Sequence, residues 1–241
     1  MCKVDATEAP IARRGVLKLA VTAAAGLSIP FHALAANVVA PPKAENVLSP
    51  DAALDRLMKD NARYVEGLSR RHDFKHEREA LTKGQNPFAA VLSCADSRVA
   101  PEFCFDTARG DIFVCRVAGN FASDDIVASL EYTVQVLNTP LILVLGHEAC
   151  GAIDATIKTI KDGTALPGHL MRLVTALTPA VTAAPNAHQN LLADSIHRNV
   201  ALNVAKLKTT APLLKSFVDD KRVRVAGGVY QLKTGRVQLL A

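Results

Sequence analysis

The sequence predicts an α/β fold with a central, mostly parallel β-sheet flanked by helices. Three short apolar runs of strand type alternate with helical segments, and polar side chains follow the first and third runs directly. The runs are Phe88–Leu92, Ile112–Val117 and Pro140–Leu145. Because ligands of open parallel sheets bind beyond the carboxyl ends of the strands, we expect a functional site at this edge.

Helical signals surround these runs. An amino-terminal helical arm is predicted from Ser49, which serves as the N-cap of a segment with apolar residues at helical spacing. A second helix is capped by Ser123 or Asp124, and a third follows the last run and stops at Gly163. A further helical region covers roughly 186–207. At the carboxyl end, two strand-like runs flank "KTG", which is typical of a β-hairpin.

The composition is that of a globular domain. The chain has 241 residues, of which 49% are hydrophobic and 21% charged, and this length is sufficient for a sizeable core. Its net charge of +5 is not concentrated in a Lys/Arg block, and no stripe of aromatic residues accompanies it. The sequence therefore argues against a nucleic-acid partner.

The amino-terminal residues predict export. In "ARRGVLKLAVTAAAGLSIPFHALA", Arg13 and Arg14 precede an apolar stretch that ends in a small-x-small site at Ala35. This pattern resembles a twin-arginine export signal, so we expect the twin-arginine export machinery to carry the precursor, cleavage near Ala35 and a periplasmic location. An uncleaved membrane anchor is the alternative, although Lys18 and Pro30 interrupt the apolar run.

The predicted domain boundaries follow from this pattern. Residues 1–35 form the signal peptide. Residues 36–48, which contain paired prolines and show no clear period, form an extended arm. Residues 49–241 form a single catalytic domain.

Two polar clusters end the first and third apolar runs. In "AAVLSCADSRV" the first run leads into Cys94, Asp96 and Arg98, and in "PLILVLGHEACGAI" the third leads into His147 and Cys150. Buried polar groups are costly unless they are paired or bound to a metal. If the first and third strands are neighbours, Cys94, His147 and Cys150 converge on one point.

Two thiolates and one imidazole suit zinc, and three protein ligands with one open position are typical of a catalytic zinc site. Asp96 then has two possible roles, as the fourth ligand or as the acceptor of a hydrogen bond from a zinc-bound water. Alternation along an extended segment would place Arg98 on the same side as Asp96, where a bidentate pair would keep the carboxylate ionised.

Taken singly, these residues have simpler interpretations. A lone Cys near a strand end is usually a small buried apolar residue, and we interpret Cys104 and Cys115 in this way rather than as a disulfide. His72 and His76 are interpreted as part of a solvated, charged surface. The joint placement of thiols and imidazole after two buried strands is what favours a metal site.

The pair of motifs "CADSRV" and, about fifty residues later, "GHEACGA" resembles β-class carbonic anhydrases. The resemblance runs from about Leu54 to the carboxyl end and includes "APEFCFDTARGDIFVCRVAGN" and "GGVYQLKTGRVQLL". It implies that Cys94, His147 and Cys150 bind one Zn²⁺ and that Asp96 and Arg98 form a dyad beside the fourth position.

The resemblance also implies a site type and a substrate pocket. Members with a regulated, closed site carry a Trp where this chain has Val91, whereas open, plant-like members carry a Gln that matches Gln85. Phe113 and Tyr132 match apolar pocket residues that are contributed across a dimer interface, and Ala118 replaces a larger aliphatic residue. We therefore expect an open site in a homodimer or a larger even-numbered oligomer.

The implied activity is reversible hydration of CO2 to bicarbonate and a proton by a hydroxide on zinc. A hydrolase of CS2 or COS on the same scaffold is one alternative, and a non-catalytic periplasmic zinc-binding protein is another. The dyad argues against the second, because metal storage does not require an oriented acceptor beside the metal. A nucleotide-binding domain is excluded because no Gly-rich phosphate loop follows any predicted strand.

Overall fold

The computed structural model describes residues 41–184 and 190–240. The predicted signal peptide, residues 1–35, lies outside the described residues, as does the stretch 36–40 of the predicted arm. The remainder of the arm contains one 3₁₀ turn, Ala44–Asn46.

In the described part of the chain, five strands form a sheet: β1 Ala89–Ser93, β2 Ile112–Arg116, β3 Leu141–His147, β4 Arg224–Tyr230 and β5 Val237–Leu239. The spatial order is β2-β1-β3-β4-β5. All neighbouring pairs are parallel except β4 and β5, which form the predicted carboxyl-terminal hairpin. The first and third predicted strands are therefore neighbours, and their carboxyl ends share one edge of the sheet.

Eight α-helices accompany the sheet in the described residues: α1 Pro50–Val65, α2 Phe74–Ala80, α3 Pro101–Cys104, α4 Asp124–Leu137, α5 Gly151–Asp162, α6 Leu170–Thr182, α7 Leu191–Thr209 and α8 Leu213–Asp219. Helices α4 to α8 pack on one face, where they meet the even-numbered side chains of β1 and β3. Helices α1 and α3 pack on the odd-numbered side chains of the other face. Both faces of β1 and β3 are buried, which explains their continuous apolar runs.

The predicted fold class is confirmed, and so are two of the predicted helix ends. Ser49 caps α1 by accepting a hydrogen bond from the Ala52 amide at 3.3 Å, and Gly163 ends α5 in the left-handed conformation. Ser123 occupies the N-cap position of α4, but its side chain makes no capping hydrogen bond. One boundary was wrong: β3 continues to His147, so this imidazole belongs to the strand rather than to the loop after it.

Helices α2, α3, α6 and α8 were not predicted. Helix α6 contains Pro179, which lacks an amide hydrogen and is unfavourable inside a helix. Burial of Val174, Leu177 and Val181, on a helix that packs against α5 and α7, nevertheless stabilises it, because packing contributes more than intrinsic propensity.

A buried ion network fastens the amino-terminal segment to the sheet. Asp60 on α1 pairs with Arg63 at 2.6 Å and with Arg70 at 3.0 Å. Arg63 also pairs with Asp106 at 2.9 Å, in the loop before β2. Asp111, at the end of that loop, pairs with Lys43 of the arm. In residues 41–184 and 190–240, no helix is long and apolar enough to cross a bilayer.

Candidate metal centre

The two polar clusters meet at the carboxyl edge of the sheet. Cys94 directly follows β1, His147 is the last residue of the neighbouring β3, and Cys150 immediately precedes α5. The two sulfurs and an imidazole nitrogen all lie within 4.8 Å of one another. The three residues are at most 4% exposed. The convergence predicted from the sequence is therefore confirmed.

A tight turn brings His147 and Cys150 together. Ala149 lies in it at φ 50°, a left-handed conformation that is costly for a residue with a Cβ. The end of β4 holds the turn, because the Glu148 amide donates to the Tyr230 carbonyl at 3.0 Å and the Glu148 carboxylate accepts from the Leu232 amide at 3.0 Å. These contacts offset the strain and direct both side chains to the same point.

The His147 imidazole is held in a tautomer that can bind a metal through Nε2. His147 Nδ1 lies 2.8 Å from the Glu148 carbonyl oxygen, which can only accept, so Nδ1 carries the proton and Nε2 presents a lone pair. Among the described residues, Nε2 is buried and has no hydrogen-bond partner. A buried acceptor without a partner is unfavourable unless a cation meets it. The donor set of two thiols and one such nitrogen fits Zn²⁺.

The two thiols are electrostatically coupled. A hydrogen bond from Cys150 holds the pKa of the Cys94 thiol well below its usual range, and the Gly119 amide, 3.3 Å from the Cys94 sulfur, contributes in the same direction. The pKa of Cys150 is raised, first because its thiol donates that hydrogen bond to Cys94, and also because it is buried and its thiolate would lie beside that of Cys94. A divalent cation removes this repulsion and allows both sulfurs to be anionic.

Asp96 and Arg98 form a bidentate ion pair beside the cluster. Arg98 Nε and Nη2 donate to the two carboxylate oxygens at 2.9 and 2.8 Å. These hydrogen bonds hold the pKa of Asp96 well below its usual range, so the carboxylate is ionised at neutral pH. Its Oδ2 lies 3.9 Å from His147 Nε2, next to the position where the metal would be held.

The pairing of Asp96 with Arg98 was predicted correctly, but the extended backbone predicted between them was wrong. The segment after Cys94 is not extended: the Val99 amide donates to the Asp96 carbonyl at 3.1 Å, and Ser97 and Arg98 form a turn. The Arg98 amide donates to Asp96 Oδ1 at 2.9 Å, as in an Asx turn. A local turn, rather than strand alternation, therefore places the guanidinium on the carboxylate.

Arg116 is a site residue that the sequence analysis missed. It ends β2, and its guanidinium donates to the backbone oxygens of Cys94, Asp96 and Val99 at 2.9, 2.7 and 2.8 Å. It thus fixes the loop that carries one thiol and the dyad. The sequence did contain a signal for Arg116, because it is a polar residue at the carboxyl end of a predicted strand, as are the residues identified from the sequence.

The predicted pocket residues lie away from the cluster of their own chain. Gln85 is exposed in the loop before β1, whereas Cys94 follows that strand. Phe113 pairs in register with Ala90, four residues before Cys94, which corresponds to about 13 Å along a strand. Its ring lies 6.4 Å from that of Tyr132, which is 47% exposed. The structure therefore brings Phe113 and Tyr132 together but does not bring them to the metal centre of the same chain.

Comparison with known proteins agrees with this geometry. A model of the carbonic anhydrase family matches residues 89–237, which include all three candidate ligands. The chain is 36% identical to Carbonic anhydrase 2 of Mycobacterium tuberculosis over 79% of its own length and 93% of that protein. The same values hold for a carbonic anhydrase of Mycolicibacterium smegmatis. The chain thus belongs to the carbonic anhydrase family.

Solved structures assign the class within that family. The β-carbonic anhydrase of Coccomyxa, solved in complex with acetazolamide, superposes with a TM-score of 0.62 at 26% identity and covers 80% of this chain and 86% of its own. The β-carbonic anhydrase CcaA gives the same TM-score and identity over 78% and 95% of the two chains. The protein is therefore a member of the β class.

Proposed function

We propose that the protein catalyses the zinc-dependent, reversible hydration of CO2 to bicarbonate and a proton. The observation that carries this proposal is the buried Cys94, His147 and Cys150 cluster with the ionised Asp96–Arg98 pair at its open side. Both the family and its curated relatives bear the name of this activity. When bound there, zinc supplies the Lewis acidity that makes water nucleophilic at neutral pH.

The residues of the chain then orient the reactants. Ionised Asp96 accepts hydrogen bonds but donates none, so it favours a proton-bearing nucleophile and fixes the direction of its remaining lone pair. Arg98 keeps the carboxylate ionised and prevents its rotation, because both oxygens are bound by one planar guanidinium. Arg116 holds the backbone that carries Asp96, so the acceptor is in place before the substrate arrives.

The proposal is tested by stopped-flow CO2 hydration with zinc content measured on the same sample. We expect about one zinc per chain and rapid hydration, and loss of both in Cys150→Ser. Cys115→Ser is the matched control, because Cys115 is also a buried thiol but lies outside the cluster. Full zinc occupancy without hydration would contradict the proposal, and turnover of COS or CS2 by that sample would support the alternative hydrolase.

The open, plant-like site type is part of the same proposal. Both Asp96 oxygens are already bound by Arg98, and this supports a fourth position that is left to water rather than to the carboxylate. A crystal structure of the zinc-loaded protein at neutral pH tests it. We expect Asp96 to remain paired with Arg98, and direct coordination of zinc by Asp96 would contradict the open type.

We also propose that the active form contains a homodimer joined along β2. In the described part of the chain β2 is an edge strand with no neighbour on its outer side. It is flanked by exposed apolar residues: Phe103 at 73%, Val136 at 56% and Tyr132 at 47%. In an antiparallel pairing about a two-fold axis, the amino end of one β2 lies beside the carboxyl end of the other. Gln85, Phe113 and Tyr132 of one copy would then approach the metal centre of the second copy.

Val136→Glu tests this interface. We expect it to yield a smaller assembly in analytical ultracentrifugation and to reduce hydration, because a charge would be buried against the second copy. Ile160→Glu on α5 is the matched control, since Ile160 is similarly exposed at 42%. If V136E keeps the wild-type assembly, β2 is not the interface.

We also propose that the precursor is exported to the periplasm by the twin-arginine route. The support for this proposal is the sequence pattern of the amino-terminal residues alone. That route carries folded proteins, so zinc could be bound before crossing and would mask the thiols from oxidation. Exchange of Arg13 and Arg14 for Lys should leave the precursor in the cytoplasm in cell fractionation. The exported wild-type protein should begin at Ala36, and an intact amino terminus on the exported protein would instead support the membrane anchor.

A further inference from the structure

Helix α7 carries two buried amide side chains. Asn199 and Asn203 are 2% and 7% exposed on a helix whose neighbouring side chains Ile196 and Val200 form part of the apolar core. An amide in such a place is costly unless it is fully hydrogen-bonded. The contacts of these residues therefore indicate what they stabilise.

Both amides hold the loop that follows β2. Asn199 Nδ2 donates to the Gly119 carbonyl at 2.8 Å, and Asn203 Oδ1 accepts from the Ala122 amide at 2.8 Å. Asn203 Nδ2 donates in turn to Asn199 Oδ1 at 3.0 Å, which fixes the orientation of both amides. Lys206, one turn further along α7, donates to the Ala122 carbonyl at 2.6 Å. We call Asn199, Asn203 and Lys206 the α7 brace.

The loop held in this way contacts a candidate metal ligand. Gly119 lies at φ 85°, a conformation that favours glycine, and its amide donates to the Cys94 sulfur at 3.3 Å. The brace therefore binds the Gly119 carbonyl, and the Gly119 amide binds the Cys94 sulfur. A shift of Gly119 would therefore lengthen or break the N–H···S hydrogen bond.

We propose that the α7 brace positions the Gly119 amide on Cys94 and so sets how much charge this sulfur donates to the metal. Asn199 and Asn203 are positioning residues, since they are not among the candidate ligands and act through the backbone of Gly119 and Ala122. An N–H···S bond withdraws electron density from a thiolate, and partners of metal ligands typically change metal affinity when they are lost. The inference rests on the proposed zinc site but does not depend on the identity of the substrate.

Asn199→Leu tests the brace, because it removes the donor while approximately keeping the side-chain volume. We expect zinc affinity, measured by competition with a chelator, to fall roughly tenfold. In the Co²⁺-substituted protein, the thiolate-to-cobalt charge-transfer band should move to longer wavelength, since a sulfur without the hydrogen bond is easier to oxidise. Leu207→Ala is the control: Leu207 is fully buried on the same helix but makes none of these hydrogen bonds.

Unchanged affinity and an unchanged band in N199L would overturn the inference, as would equal changes in N199L and L207A. If N199L does not fold, Asn199→Asp carries the same test, because it keeps the shape and replaces the Nδ2 donor by an oxygen. Absence of Co²⁺ or Zn²⁺ binding by the wild-type protein would instead contradict the proposed metal site itself. The readouts concern the metal alone, so they stand whether or not CO2 is the substrate.

Discussion

Two regions of the molecule combine aspartates with arginines, and they differ in what surrounds each carboxylate. In the network between α1 and the loop before β2, the side chains of Asp60 and Asp106 are 1% and 3% exposed, and Arg63 of α1 pairs with both of them. At the metal centre, Asp96 is 17% exposed, and its partner Arg98, two residues away, is 51% exposed. The first arrangement joins α1 to later segments of the chain, whereas the second orients one carboxylate beside the candidate metal ligands.

These two regions indicate that an aspartate–arginine pair can either connect segments of the fold or orient a carboxylate beside a metal site, and that the position of the partners decides which. Asp60 pairs with Arg63 on its own helix and with Arg70 in the following segment, so the Arg70 pair cross-links α1 to that segment. Asp96 receives its bonds from within its own turn, which contribute little to the fold, and its Oδ2 remains close to His147 Nε2. Substitutions in the two regions should therefore affect different measurements.

Asp96→Asn should have the largest effect, and on catalysis only. The amide keeps the shape but cannot take up a proton and offers one acceptor fewer, so we expect kcat/KM for CO2 hydration to fall by roughly 100-fold or more. Thermal unfolding should stay near that of the wild type. Asp154→Asn, an exposed carboxylate on α5 paired with Lys158, is the control and should retain full activity. Wild-type turnover in D96N would remove Asp96 from the mechanism.

Asp60→Asn should show the opposite pattern, a loss of stability with catalysis retained. It leaves Arg63 and Arg70 facing a neutral side chain, and we expect the free energy of unfolding to fall by about 2 kcal/mol, less than for a fully buried pair because both guanidiniums are partly exposed. Urea denaturation at pH 7 measures this loss, and hydration per folded molecule should be retained. Asp219→Asn, on an exposed pair with Lys215, should change stability by less than about 0.5 kcal/mol.

Arg98→Lys should also reduce catalysis without affecting stability, but by a smaller factor than Asp96→Asn. Lysine keeps the positive charge but cannot bind both oxygens of Asp96 in one plane, so the carboxylate gains freedom to rotate. We expect roughly a tenfold loss of kcat/KM with no change in thermal unfolding. A loss as large as that of D96N would mean that Arg98 has a role beyond orienting the carboxylate.

The smallest expected effect is a pH dependence of stability from Asp106. Burial opposes its ionisation, but hydrogen bonds from the Arg70 amide, Arg63 and Ser69 outweigh burial and lower its pKa. The unfolded chain then binds a proton at higher pH than the folded chain, so this stabilisation is present at neutral pH and is lost as the pH falls through the lowered pKa. The stability difference between wild type and Asp106→Asn should shrink between pH 7 and pH 3 in urea titrations. A constant difference would contradict the lowered pKa.

Much of the fold and of the metal centre could be predicted because the signals are local. Two buried strands with continuous apolar runs end in Cys94 and His147, and parallel strands necessarily bring such ends to one edge. The caps at Ser49 and Gly163 are equally local. Helix α6 could not be predicted, because it contains Pro179 and is stabilised by burial against α5 and α7 rather than by its own propensity.

The sequence by itself determined which residues meet at the metal centre, since the chemistry of thiols and imidazole after buried strands has few other uses. Only the tertiary structure decided how they are held. Arg116 and the amides of α7 act across segments that are far apart in the chain, and the position of Gln85 relative to Cys94 depends on the length of β1. Such contacts arise from packing, which local patterns do not encode, and they set the geometry on which the chemistry depends.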